Sequence, residues 1–356
     1  MPTNPVLARA DAFCAAYGLR IPILLAPMAG ACPASLSIAV ASAGGMGACG
    51  GLLMQPGAIK AWAAEVRAAS NGAFQLNLWI PDPPPERDPE AEAAIRAFLA
   101  AWGPPVPAEA ADVTPPDFAA QCEAMLEAGP SVISSIMGLY PAPFVARMKA
   151  RGIRWFATVT TVQEALEAEA AGADAIVAQG MEAGGHRGAF DAANAERRMV
   201  GLFALLPAVV DAVKLPVIAT GGIADARGVA AALILGASAV QIGSGFLRTP
   251  EAKLPAAWAD AIGRTRPEDT IVTRAFSGRP GRSVATAYAR AAADGPSPAP
   301  YPVQRGLTQP MRDAAAKAGD IDRMQAWAGQ SAALAAVRPA GDITRDVWDA
   351  ARAMLA

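Results

Sequence analysis

Residues 155–180 read WFATVTTVQEALEAEAAGADAIVAQG, and this stretch decides the fold. Trp155 to Val159 is a short apolar run of strand length. Thr161-x-x-Glu164 then forms a capping box, so a helix is expected from Thr161 to Ala171. Asp174 to Ala178 is a second short apolar run. A strand, a helix and another strand in close succession imply parallel pairing through a right-handed crossover. The same unit recurs in both directions. Upstream lie Ile21 to Ala26, ended by Pro27, then Met46 to Cys49 between glycines, Phe74 to Leu78 and Ser131 to Ile136. Downstream lie Pro216 to Thr220 and Ala239 to Ile242, separated by a helical stretch from Ala224 to Leu235 opened by Asp225. Eight such strands predict an α/β fold, a closed (β/α)8 TIM barrel. The alternative is a doubly wound open sheet. Candidate ligand-binding residues follow the first, third, sixth, seventh and eighth strands, which suits a ring whose strand ends share one mouth. An open sheet would gather them at one switch point.

Two segments break the rhythm. Pro81 to Pro116 contains PDPPPERDPE and reads as an inserted surface excursion with one or two short helices, a candidate lid. After Leu247 the repeat stops, and helices are expected around Trp258, Met311 and Asp346, with a proline-rich DGPSPAPYPVQR segment from Asp294 to Arg305. The expected division is therefore a barrel over 1–248 and a smaller C-terminal extension over 249–356 packing on its mouth.

Composition narrows the function. Thirty Lys and Arg against 32 Asp and Glu give a net charge of −2 without a basic block, which argues against nucleic acid as a partner. Cys14, Cys32, Cys49 and Cys122 are far apart and form no CxxC. With one histidine in the chain they make a poor metal site and read as reduced thiols of a cytoplasmic protein. No apolar run approaches the roughly 20 residues of a membrane span, and the N-terminus lacks the basic-then-apolar design of a signal peptide. A monomer or a homodimer is expected.

The histidine itself, His186, lies in AQGMEAGGHRGAF, Ala178 to Phe190, where a strand stops. Gly184, Gly185 and Gly188 strip side-chain bulk from its neighbourhood and let a flat or phosphorylated ligand approach the backbone. A side chain that titrates near neutral pH suits proton exchange with such a ligand. Glu182 and Arg187 flank it, as charges that polarise the site or are solvated or paired together. Gly221-Gly222 after the seventh strand and Gly243-Ser244 after the eighth stand where a barrel holds phosphate on backbone N–H groups. Asn77 and Gln179, each a donor and an acceptor, suit the amide-like edge of a ring system, or else cap strand ends locally. Ala26, Pro27 and Met28 with Ala29 and Gly30 bring backbone N–H to the same mouth. A ring with amide-like edges and a phosphate tail describes FMN.

The motifs that carry these residues resemble the nitronate monooxygenase family, formerly 2-nitropropane dioxygenase: APMAG at 26–30, GGMGACGG at 44–51, FQLNLW at 74–79, VAQGMEAGGHRG at 177–188, PVIATGGI at 216–223 and AVQIGSGF at 239–246. The likeness runs on through FSGRPGR at 276–282, YPVQ at 301–304 and WAGQ at 327–330. It implies an FMN-bound TIM barrel that oxidises alkyl nitronates, or nitroalkanes, with O2 to carbonyl compounds and nitrite. It also implies FMN contacts from Met28, Asn77, Gln179, Gly184, Gly185, Gly222, Gln241, Gly243 and Ser244, with His186 facing substrate. Two departures are Ser244 in place of threonine and SVISSIMGLYP at 131–141 in place of a phenylalanine-glycine pattern. Tyr301 is expected in the substrate pocket or as a packed anchor. The alternative activity is an NAD(P)H-dependent flavin reductase of the enoyl-ACP reductase or quinone reductase type.

Overall fold

The structure is a computed structural model that describes residues 4–70 and 72–356. In chain order its strands are β1 (Ile23–Leu25), β2 (Gly47–Gly50), β3 (Phe74–Trp79), β4 (Val132–Ile136), β5 (Arg154–Val159), β6 (Ala175–Gln179), β7 (Gly185–His186), β8 (Val217–Thr220), β9 (Ala239–Ile242), β10 (Thr270–Thr273) and β11 (Gly281–Val284). Eight of them pair in parallel in the order β1-β9-β8-β6-β5-β4-β3-β2. A parallel bridge between Leu24 and Met46 closes the ring. The eight strands expected from sequence are these, with bounds shifted by a residue or two.

Strand alternation builds two apolar shells and one polar layer. Outward residues such as Ile133, Trp155, Ile176, Val217 and Val240 pack in the main core with the surrounding helices. Inward residues Leu24, Met46, Val132, Phe156, Val177 and Ile218 fill the lower half of the ring, plugged by Phe13, Cys14 and Leu19 of the N-terminal segment. Further along six of the eight strands the inner face turns polar: Asn77, Ser134, Thr158, Gln179, Thr220 and Gln241 are all buried, while Ala26 and Ala48 stand two positions past Leu24 and Met46. A period of two places these side chains on one face, so the upper layer is hydrophilic while the lower is dry. The carboxyl ends of the strands thus form a polar floor beneath the mouth.

The helix over Val162–Ala170 is capped by Thr161, whose hydroxyl accepts from the Glu164 N–H at 3.1 Å. The second half of the capping box differs from the usual arrangement. The Glu164 carboxylate accepts from Thr160 N–H (2.6 Å), Thr160 Oγ1 (2.8 Å) and Phe190 N–H (2.9 Å). It thereby ties the helix to the loop that carries His186. Asp225 caps Ala226–Ile234 as expected, accepting from the N–H groups of Arg227 and Gly228.

The excursion holds one α-helix, Pro89–Leu99, and a short 3-10 turn at Ala108–Ala111. Ile95, Leu99 and Ala111 share a core with Phe276, Tyr288, Val303, Leu307 and Met311 of the extension. The extension's helices at Ala256–Arg264, Gln309–Ala318 and Ala340–Leu355 cover the three expected centres. The last of these packs between Ala34–Ala43 and Ala226–Ile234 and so takes the outer-ring place that no helix directly after β9 fills. A small antiparallel sheet, β10-β11-β7, was not expected. It pairs Gly281 with His186 and Arg282 with Gly185, which stitches the histidine loop to the extension. No helix among the described residues is long and apolar enough to cross a membrane.

Candidate active site

A cavity of about 340 Å³ opens at the carboxyl ends of the barrel strands; every cofactor, catalytic or pocket residue expected from sequence, from Ala26 to Tyr301, lines it, while Glu182, Arg187 and Gly188 do not. Its two ends differ in chemistry. One end is backbone. Gly221 and Gly222 adopt left-handed φ values of 111° and 70°, a conformation that side chains resist. The N–H groups of Gly222, Gly243 and Ser244 find no acceptor among the described residues, and unpaired N–H groups around a cavity form a cradle for an anion.

The other end is built around His186, half-buried between Trp79 and Trp327 with ring centroids at 4.6 and 4.7 Å. Tyr301 closes on Trp79 at 5.3 Å. Nε2 of His186 lies 2.7 Å from the Ser277 hydroxyl, which can donate onward to the Arg279 carbonyl at 3.3 Å. A serine proton given to that carbonyl leaves the hydrogen on Nε2 and a lone pair on Nδ1, whereas a serine proton given to Nε2 puts the hydrogen on Nδ1; both tautomers satisfy this geometry. Burial, and then the charges of Arg279, Arg305 and Arg312, lower the imidazole from its usual range near 6.5 to about 3. The ring is neutral at pH 7.

These guanidinium groups are not equivalent. Arg279 is paired with Asp82, its Nε donating at 2.7 Å. Arg312 is buried among Thr308, Gln325 and Gln309 without a carboxylate contact, and burial lowers it to about 9. Arg305 lines the cavity and has no hydrogen-bond or ion-pair partner for its side chain among the described residues. Burial lowers its pKa as well. The histidine end therefore carries a guanidinium with no contacting carboxylate, on which Asp313 acts only at longer range.

Gln179 and Asn77 are partly committed within the protein. Gln179 donates through Nε2 to the His186 carbonyl (3.1 Å) and accepts at Oε1 from Gly188 N–H (2.8 Å). Its amide thus fixes the histidine loop from both sides. Asn77 Nδ2 donates to Ser134 at 3.0 Å, and its Oδ1 stays open to the cavity. Gln241 Oε1 accepts from Gln75 Nε2 at 3.1 Å, which leaves the Gln241 amide protons to a ligand.

The two flanking charges do not pair with each other. Arg187 is buried under the loop and donates to the Gln179 carbonyl (2.6 Å) and the Thr160 carbonyl (3.3 Å). Burial lowers it to about 10. Glu182 accepts from Leu202 N–H at 2.9 and 3.0 Å and caps the helix that begins there. Both charges hold the loop in place.

Sequence reasoning did not single out Trp79, Ser277, Arg305 or Trp327. For Trp79 a signal existed: it lies two residues past Asn77 on β3, hence on the same inner face. Ser277 and Trp327 stand inside the FSGRPGR and WAGQ motifs, but only tertiary folding brings them to the histidine. Among the described residues no group of three metal-ligating side chains occurs. The four cysteines are buried and free, and burial pushes the thiols of Cys14, Cys32 and Cys122 up to about 12.

Comparison with known proteins shows the family. A model of the nitronate monooxygenase family matches residues 13–349. A nitronate monooxygenase of Pseudomonas aeruginosa is 38% identical over 352 residues, covering 96% of this chain and 99% of its own. One from Paraburkholderia phytofirmans is 38% identical over 338 residues, covering 92% and 91%. The crystal structure of nitroalkane oxidase from Streptomyces ansochromogenes superposes with a TM-score of 0.85 at 35% identity, covering 95% of this chain and 98% of that one. FabK from Thermotoga maritima superposes at 0.73 with 27% identity, covering 97% and 96%. The chain belongs to the nitronate monooxygenase family of oxidoreductases.

Proposed function

We propose that this chain binds FMN across the barrel mouth and oxidises alkyl nitronates with O2 to carbonyl compounds and nitrite. The observation that carries the reading is the two-ended cavity: unpaired N–H groups at Gly222, Gly243 and Ser244 at one end, a neutral imidazole beside an unpaired guanidinium at the other. The donor set fits the cofactor. A phosphate takes the N–H cradle, and the Asn77 and Gln241 amides suit the pyrimidine edge of an isoalloxazine ring. When bound, FMN supplies the electron acceptor that side chains lack.

The protein's own residues then bind and orient the substrate. A nitronate is an anion with carbanion character at the reacting carbon, so it needs no strong base. Arg305 attracts it to the histidine end and gains a counter-charge in a half-buried setting. In the tautomer that accepts the Ser277 proton at Nε2, His186 donates from Nδ1–H to the nitronate oxygens, between the walls of Trp79 and Trp327. The same walls limit the access of water.

The purified protein is expected to be yellow, with visible flavin absorption, and to release nitrite when titrated with propionate 3-nitronate under air. Colourless protein that refuses added FMN overturns the reading, as does flavin-loaded protein that yields no nitrite with any nitronate. Rapid bleaching by NADH under anaerobic conditions, with none by nitronate, assigns the flavin reductase activity instead. Removal of the unpaired charge in Arg305→Met is expected to raise KM for the nitronate by roughly tenfold or more, the value of a lost charge-assisted contact, with a smaller change in kcat. An unchanged KM removes Arg305 from substrate binding.

A further inference from the structure

The phosphate end of the cavity has a wall that comes from the far C-terminal segment. Gly329 and Ser331 line the cavity together with Gly222, Gly243 and Ser244. The backbone N–H of Gly329 donates to the Ser244 hydroxyl oxygen at 2.9 Å. The short turns Ser244–Phe246 and Ala332–Leu334 pack against each other, which sets Ser331 beside the loop after β9. Neither the hydroxyl nor the backbone N–H of Ser331 has a hydrogen-bond partner among the described residues, although the residue is half-buried. Two donors left open at the rim of an anion cradle call for an acceptor.

We propose that Gly329–Ser331 completes the phosphate site of this chain. Ser331 donates its hydroxyl to the phosphate, and the Gly329 N–H acts as a positioning group. By filling an acceptor site on Ser244 Oγ, Gly329 leaves the serine proton to point away from itself, toward the cavity. The inference rests on the reading that the cavity holds FMN, and it assigns cofactor binding to residues more than eighty positions past the last barrel strand.

The test uses full-length protein stripped of flavin and titrated by flavin fluorescence with two ligands that differ only in the phosphate. Ser331→Ala is expected to weaken FMN binding about tenfold and to leave riboflavin binding unchanged. Ser331→Asp, which sets a carboxylate against the phosphate dianion, is expected to weaken FMN binding by more than the alanine variant and again to spare riboflavin. FMN affinity unchanged in Ser331→Ala overturns the proposal. So does equal weakening of FMN and riboflavin, since a merely structural role moves both. Should the aspartate variant fail to fold, the alanine variant decides alone, with its melting temperature as the check on folding. Wild-type protein that binds neither flavin overturns the cofactor reading itself and the proposal with it. Wild-type protein that binds FMN no better than riboflavin overturns the phosphate site alone.

Discussion

His186→Asn is expected to lower turnover of neutral nitroalkanes by about 10²-fold, the low end of a positioned general base's contribution, while turnover of preformed nitronates falls by less than about tenfold. The asymmetry follows from the state of the imidazole. With its pKa lowered to about 3 by burial and by Arg279, Arg305 and Arg312, the ring is a weak base, which keeps its contribution at the low end, and a neutral hydrogen-bond partner. A nitronate needs only the hydrogen bond, which an asparagine amide can supply in part. A neutral nitroalkane must lose an α-proton, and asparagine cannot take it. Nitrite release from matched nitroalkane and nitronate pairs is the measurement, and equal losses on both substrates reject the role. Stability gives an independent reading of the same pKa. The unfolded histidine protonates near 6.5 and the folded one near 3, so between these values the unfolded chain binds more protons and stability falls with acid. His186→Asn removes that one-proton slope, and denaturation midpoints followed from pH 7 down toward 4 are expected to fall less steeply than in the wild type. Parallel slopes in the two proteins place the folded pKa near its usual value.

The barrel was legible because each strand is buried on both faces and reads as an apolar run. The residues that end those runs, Asn77, Gln179, Gly221 and Gly243, were legible for a related reason: polar and glycine residues interrupt an apolar rhythm only where a strand leaves the core. What lay hidden was everything set by long-range pairing. Two-residue β7 has no periodicity of its own, and it exists because Gly281 and Arg282, nearly a hundred positions later, pair with it. Ser277 reaches His186, and Gly329 reaches Ser244, through the same extension. The role of Gln179 was hidden too. A buried amide at a strand end looks alike whether it faces a ligand or a loop, and here both its polar atoms fasten the loop. Arg187 and Glu182 read as charges that polarise the site or are solvated or paired together, yet backbone contacts make them supports of the histidine loop.

That dependence on one crossing of three chain segments makes Gly184→Ala the most damaging small substitution in the site. A methyl group on Gly184 stands 2.6 Å from the Ala328 carbonyl carbon, closer still to the Gly329 nitrogen, and 3.0 Å from Ser244 Oγ. Two of these are backbone atoms, which cannot swing aside as a side chain does. The facing glycine has no slack either, since a Cβ on Gly329 meets the Glu182 carbonyl at 2.8 Å and the Gly184 nitrogen at 2.9 Å. To admit the methyl group the tail must retreat, which breaks the Gln330 N–H bond to the Glu182 carbonyl and the Gly329 N–H bond to Ser244, both 2.9 Å. Overpacking costs about 1–3 kcal/mol and each of the two lost hydrogen bonds about 1 kcal/mol, so a loss of about 3–5 kcal/mol is expected, with FMN affinity down by at least about tenfold. Gly185→Ala is the control. Its φ of 74° resists a side chain, but nothing lies within 4 Å of the added carbon. It therefore pays only the left-handed strain of about 1–2 kcal/mol without displacing the tail. Thermal melting and FMN titration of the two variants separate the effects. A Gly184→Ala protein no less stable than Gly185→Ala, with FMN affinity intact, means the tail does not hold the phosphate loop and the histidine loop together.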